Sequence, residues 1–520
     1  MRTWDLNLSL DSAAELPTFL RIARAISNEV RRHRLRPGDP LPGSRTLAKA
    51  LQVHRNTVVA AYLELFQEGW IETRRAGGTF VSRTLPDVRP RGFAGMTAPR
   101  ASVPTQPGFD LGPGVHSGEP PLYPRGTLNL AGGKPDPRLV PFAALARAYR
   151  RALRSRGTPV LDYGDPRGHP RLRSALAQMV SATRGLAATT DSLMVTRGSQ
   201  MAIDLVARAL LSPGDAVAVE ELGYPAAWAS LKLAGARLFP IPLDREGLQV
   251  DALEKIAARE KLRAIYVTPH HQYPTMVVLS PGRRLQLLEL ARRNRFAILE
   301  DDYDHEFHYQ GRPVLPLASA DRAGVVIYVG TLSKILAPGL RLGFLVAPEP
   351  LLDQIVQLRM VTDRQGDLAL ECAVGEMLED GEVQRHARRM RRVYESRRAA
   401  LVSALQEHLG SALSFELPSG GIGLWADVAP DVDVDRWAAR ALAMKVAFSP
   451  GREFAFDRKS RPNARFAFAS LSETEILEAV RRMASALPPS RPGRTPRAAR
   501  FGRTALASRR GGGSLSASSP

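Results

Sequence analysis

The sequence predicts two folded units of different class: an N-terminal winged helix-turn-helix within residues 1–82, and an α/β domain carrying a small α+β lobe over 128–487. Three observations predict this. Helical apolar spacing followed by two short strands around Ala76-Gly77-Gly78 fills the first 82 residues. Nine prolines and seven glycines then crowd 83–127, as expected of a linker. Beyond it, apolar β-rich runs alternate with helical stretches.

In the first unit Leu20, Ala23, Ile26 and Val30 recur every three or four residues, which predicts a helix that Pro37-Gly38 stops. A short helix over 44–51, with Ser44 as its N-cap, and a second from 55 to 67 come next. The runs WIETR and GTFVS are read as the two strands of the wing. In the second unit LMVT, AVAVE, RAIYVT, FAILE and VVIYV are apolar throughout, so they read as strands buried on both faces. Their alternation with helical stretches at 199–210, 251–259 and 282–294 predicts parallel βαβ crossovers. A long basic amphipathic helix (382–408) and a strand-rich segment form the small lobe. The last segment, 488–520, is rich in Gly, Pro, Ser and Arg and is expected to be a disordered tail.

Charge and cysteine content narrow the function. The single cysteine, Cys372, excludes an internal disulfide and a Cys-based zinc finger, which fits a reducing compartment. The first residues lack the layout of a signal peptide and no 18 apolar residues run together, so a cytoplasmic protein without a membrane span is expected. The net charge of +20 invites a polyanion; +7 of it sits in 488–520 and +4 in 1–82.

A recognition helix places short polar and basic side chains at its N-terminus, where they reach base edges, and packs its other face inward. Arg55, Asn56 and Thr57 open the third helix, with Val58, Ala61, Leu65 and Phe66 as its packing face. Arg45, Arg74 and Arg75 are placed to meet phosphates of double-stranded DNA. A solvated basic helix in an interaction module is the other reading. The stretch PGDPLPGSRTLAKALQVHRNTVVAAYLELFQEGWIETRRAGGTFV resembles the DNA-binding domain of GntR-type bacterial regulators, with His54 where that family usually has Ser.

In VVIYVGTLSKILAPGLRLGF an apolar strand runs into Thr331, Ser333 and Lys334, and Arg341 follows a Pro-Gly turn. A strand-end amine flanked by hydroxyls and a guanidinium suits a Schiff base with a phosphorylated aldehyde. Upstream, the strand FAILE ends in Asp301, placed to keep a pyridine nitrogen protonated, and Tyr303 lies on the same side two positions on. Metal binding by Glu300, Asp301, Asp302, Asp304, His305, Glu306 and His308 competes with this reading. An alternating strand cannot aim all of these at one ion, and no second ligand group is evident, so no metal is expected. The turn Gly198-Ser199-Gln200 opens a helix and can cradle a phosphate, and Tyr224 could stack on a cofactor ring.

Together these residues resemble the fold-type I pyridoxal-phosphate (PLP) aminotransferases over 128–487. With the N-terminal half, the chain resembles the MocR subfamily of GntR regulators, which includes the GabR-type proteins. The resemblance implies that Lys334 carries PLP as an internal aldimine, with Asp301 at the ring nitrogen, Tyr303 at O3′, and Ser333, Arg341 and residues 198–200 on the phosphate. It further implies that Tyr163 reaches the phosphate of a second subunit in a homodimer and that Arg465 grips a substrate carboxylate. Aminotransferases commonly carry Asn-Pro-Thr-Gly where this chain has Tyr273-Pro274-Thr275-Met276.

Two functions remain. The chain is a transcriptional regulator in which an amino acid or amine forms an external aldimine at Lys334, or it is a working aminotransferase with a DNA-binding appendage. The linker favours regulation: 45 residues of flexible coil span roughly 35–40 Å, close to the ~34 Å between DNA half-sites one turn apart.

Overall fold

The computed structural model describes residues 16–74, 78–86, 106–110, 123–311 and 313–487. Arg75, most of the expected linker and the expected tail at 488–520 lie outside the described residues. The chain divides into two compact units, residues 1–112 and 113–520.

The first unit is a three-helix winged helix-turn-helix: α1 (Thr18–Arg31), α2 (Ser44–Ala50) and α3 (Arg55–Gln67), then β1 (Ile71–Arg74) paired antiparallel with β2 (Gly78–Val81). Its core gathers Ile22, Ile26 and Val30 of α1, Leu47 of α2 and Val58, Ala61 and Leu65 of α3. Two details differ from expectation. Gly43 caps α2, leaving Ser44 as its first residue. Phe66 is 53% exposed, because the 3.6-residue period from Val58 and Ala61 carries Tyr62 and Leu65 inward instead.

The second unit is built on a seven-stranded sheet of β3 (Leu193–Thr196), β4 (Ala216–Glu220), β5 (Arg237–Ile241), β6 (Leu262–Val267), β7 (Ala297–Asp302), β8 (Val326–Thr331) and β9 (Gly343–Val346), in the spatial order β3-β9-β8-β7-β6-β4-β5. All five residues of β4 and all six of β8 are buried, as strands covered by helices on both faces must be. Pairing is parallel from β5 to β8, but β9 runs antiparallel to both β8 and β3. The short link from β8 to β9, turned by Pro338–Leu340, leaves no room for the dozen or more residues of a crossover.

The small lobe packs α4 (Glu382–Leu409) and α5 (Glu473–Ala486) on a four-stranded antiparallel sheet of β10 (Leu413–Ser414), β11 (Gly423–Val428), β12 (Ser449–Pro450) and β13 (Asn463–Ala467), ordered β10-β11-β13-β12. A capping box at Ser472 and Glu475 starts α5. Residues Leu128–Asn129 pair with Val446–Ala447 of this lobe, so the chain just beyond them, through Gly133, starts from the small lobe.

Candidate functional site

In the DNA-binding unit, Arg45, Arg55 and Asn56 are exposed at the starts of α2 and α3, and Thr57 is half-buried. Arg55 Nε donates to Ser44 Oγ at 3.4 Å, tying the two helix starts together. His54 caps α3: its Nδ1 accepts from the Asn56 N–H at 3.2 Å, the service a serine hydroxyl gives elsewhere. Arg74 lies over the Phe80 ring and pairs with Glu72 at 2.8 Å, so only part of its charge faces outward.

The second site forms at the C-terminal ends of the parallel strands, where α/β sheets place their ligands. β8 ends at Thr331 and delivers Ser333 and Lys334. The Ser333 N–H donates to Thr331 Oγ1 at 3.1 Å, while Lys334 Nζ donates to the Gly133 carbonyl at 2.9 Å. Burial, and then the Arg465 charge, push the Lys334 amine down to about 8. Register places Asp301 of β7 beside Val329 of β8, one strand from the lysine.

Asp301 is buried, and its Oδ2 accepts from the Tyr266 hydroxyl at 2.8 Å. Its Oδ1 has no hydrogen-bond partner among the described residues. Burial raises its carboxyl to about 7 against the lowering effect of Tyr266. Tyr266 was not singled out from sequence. The signal was there: a phenol within the apolar run AIYV must find a polar partner when that run is buried.

Tyr303 faces the same side, its hydroxyl donating to the His271 carbonyl at 3.0 Å. Edge-to-face contacts at 5.8 Å link it to Tyr273 and Tyr273 to Tyr224. Met276, in the usual place of a glycine, has φ 64°, a left-handed conformation that a side chain strains.

Gly198 precedes the helix Ser199–Leu210 with φ 83° and faces the guanidinium of Arg341. A Cβ built there would lie 3.1 Å from Arg341 Nη2, and that nitrogen donates to the Arg197 carbonyl at 2.7 Å. Gln200 turns its side-chain amide to Ala226 O and Ser230 Oγ, so only its backbone faces the turn.

Arg465 enters from β13 and is 1% exposed. Its Cζ lies 4.8 Å over the Tyr273 ring, and Nη1 makes one long contact, 3.4 Å, to the Ala131 carbonyl. Among the described residues no carboxylate lies within ion-pair distance of it. Tyr163 is not brought to this group: it is 73% exposed and stacked under Arg364.

Residues 18–81 match the gntR family of bacterial regulatory proteins, and 125–483 match the class I and II aminotransferases. Over 481 residues the chain is 32% identical to a probable rhizopine catabolism regulatory protein, MocR, of Rhizobium meliloti, covering 92% of this chain and 95% of that one. It is 33% identical over 479 residues to the HTH-type transcriptional regulator TauR of Rhodobacter capsulatus, covering 90% and 96%. The solved structure of LysN, an α-aminoadipate aminotransferase from Thermus thermophilus complexed with N-(5′-phosphopyridoxyl)-L-leucine, superposes with a TM-score of 0.65 at 31% identity, covering 70% of this chain and 92% of that one. With a GntR helix-turn-helix joined to a fold-type I aminotransferase domain, and full-length relatives of the same build, the chain belongs to the MocR/GabR-type GntR transcriptional regulators.

Proposed function

We propose that the chain is a PLP-dependent regulator of transcription that binds operator DNA as a homodimer in the cytoplasm and senses an amino acid or amine at Lys334. The observation that carries this reading is Arg465, a buried guanidinium with no carboxylate partner among the described residues, whose charge is felt at the Lys334 amine. A buried charge is costly unless paired, and an effector carboxylate would pair it.

The residues present fit the cofactor. Asp301 Oδ1 is a buried acceptor lacking a donor among the described residues, as the place opposite a protonated ring nitrogen requires. Tyr224 would lie against the ring. The helix start at 198–200, Ser333 and Arg341 would hold the phosphate, joined by Tyr163 of a second copy. When bound, PLP supplies an aldehyde carbon that condenses with primary amines.

The chain's own residues do the rest. Burial keeps the Lys334 amine available in its neutral form near physiological pH. Tyr266 orients Asp301, and Arg465 selects amines that carry a carboxylate. Regulation needs only that one conformation of the dimer binds the effector better and holds its DNA-binding units at a different spacing. Lys334→Ala should keep measurable operator affinity in a gel-shift assay and lose its response to effector; a full response in that variant overturns the reading. Likeness to aminotransferases keeps a second reading open, and many-turnover transamination with a keto acid would favour it.

A further inference from the structure

Four histidines gather beside the Asp301–Asp304 segment. His270 and His271 come from the loop after β6, His305 and His308 from the segment after β7. From His270 the ring centres of His271, His305 and His308 lie at 4.3, 4.6 and 6.5 Å. His270, His271 and His305 are at most 5% exposed. Both ring nitrogens of His270, and Nε2 of His271 and of His305, have no hydrogen-bond partner among the described residues. Unsatisfied buried nitrogens on one histidine are uncommon; three such rings in contact point to a missing shared partner.

Acids flank the rings in the manner of metal centres. Asp304 Oδ1 lies 2.7 Å from His271 Nδ1, which would fix that ring. Asp302 Oδ2 lies 2.9 Å from His305 Nδ1 and accepts from the Tyr328 hydroxyl at 2.7 Å, while its Oδ1 has no hydrogen-bond partner among the described residues. The positive neighbours are Arg184, engaged by Glu306 and Tyr328, Arg284, whose guanidinium donates to the Leu279, Leu315 and Pro269 carbonyls, and Arg391 toward His308. Donor atoms come within 4.8 Å of one another in two sets, His270 with His271 and His308, and His270 with Asp302 and His305. A cavity of about 240 Å³, lined in part by His305, His308 and Glu306, gives a path of entry. The sequence reading discounted a metal for want of a second ligand group, and His270-His271 supplies it.

We propose that this cluster binds one borderline divalent transition-metal ion, with His270, common to both sets, as an obligatory ligand. Imidazole donors with one carboxylate suit zinc, cobalt or nickel and not magnesium or calcium. The site is independent of the cofactor reading, since none of its donors is among the residues assigned to PLP.

The test is calorimetric titration of ZnCl2 into the chelator-treated full chain. One equivalent should bind, His270→Ala should weaken it by at least about 100-fold, the upper range for losing a mere orienting partner, and His408→Gln should change nothing. Should His270→Ala melt early, the pair His305→Gln with His308→Gln serves, because it removes a donor from each set. Cobalt in place of zinc should give visible absorption bands that either variant abolishes. Absence of stoichiometric zinc binding, or unchanged affinity in both variants, overturns the site, leaving a packed cluster of neutral imidazoles.

Discussion

Tyr266 donates its hydroxyl to one oxygen of Asp301 at 2.8 Å and leaves the other without a donor among the described residues. The pair divides the carboxylate between a strand neighbour and whatever enters the site.

Tyr266→Phe removes the bond that holds the Asp301 carboxyl down against burial, so that carboxyl should move further up. We expect PLP affinity to fall by about tenfold, the worth of one charge-assisted hydrogen bond at its lower end. The fold should persist, because only an oxygen is lost. Titration of the cofactor's absorbance against protein concentration checks this.

Arg465→Ala should weaken the response to a carboxylate-bearing effector by roughly 30- to 150-fold, equivalent to about 2–3 kcal/mol for a charge-assisted contact, and spare a simple amine. Removing the guanidinium also removes a cause of the low Lys334 value. Labelling of Lys334 by an aldehyde and borohydride should rise through about pH 8 in the parent chain and at higher pH in the variant. An unshifted profile would separate the two residues.

Glu371 is buried and accepts from the His169 N–H at 2.6 Å, yet burial raises its carboxyl to about 7. A carboxyl raised on folding stabilises fully below its unfolded value near 4.5, and that contribution is lost as pH rises through about 7. The slope it gives is at most about 1.4 kcal/mol per pH unit. Glu371→Gln should flatten melting temperature against pH across that window.

His54→Ala should cost the first unit about 1 kcal/mol through loss of the α3 cap, and His54→Ser should restore it. Arg55→Ala should lower operator affinity. If Arg55 reads a base, binding to a non-specific duplex falls much less; if it meets a phosphate, both fall and the salt slope drops by about one. Fluorescence anisotropy at several salt concentrations distinguishes them.

Much of this was legible in the residues because periodicity and strand ends are local. Helix α3, the apolar strands, and the convergence of Lys334, Asp301 and Tyr303 on one side of the sheet all follow from spacing. What escaped depended on pairing across the chain. Tyr266 finds Asp301 only through β6 and β7 lying side by side, and the antiparallel β9 is fixed by a short link with no periodic signature. The same holds for His270-His271, which meets His305 and His308 only once two loops fold together. Tyr163 remains exposed within one chain, so its expected role rests on a second copy.

Lys334 comes from the sheet domain, while Gly133 and Arg465 reach it from the small-lobe side. An amino acid held at both ends would therefore act as a gauge block between the jaws of a calliper. Molecules with a longer or shorter gap between amine and carboxylate would set the jaws differently. Selectivity and output would then be one measurement of length.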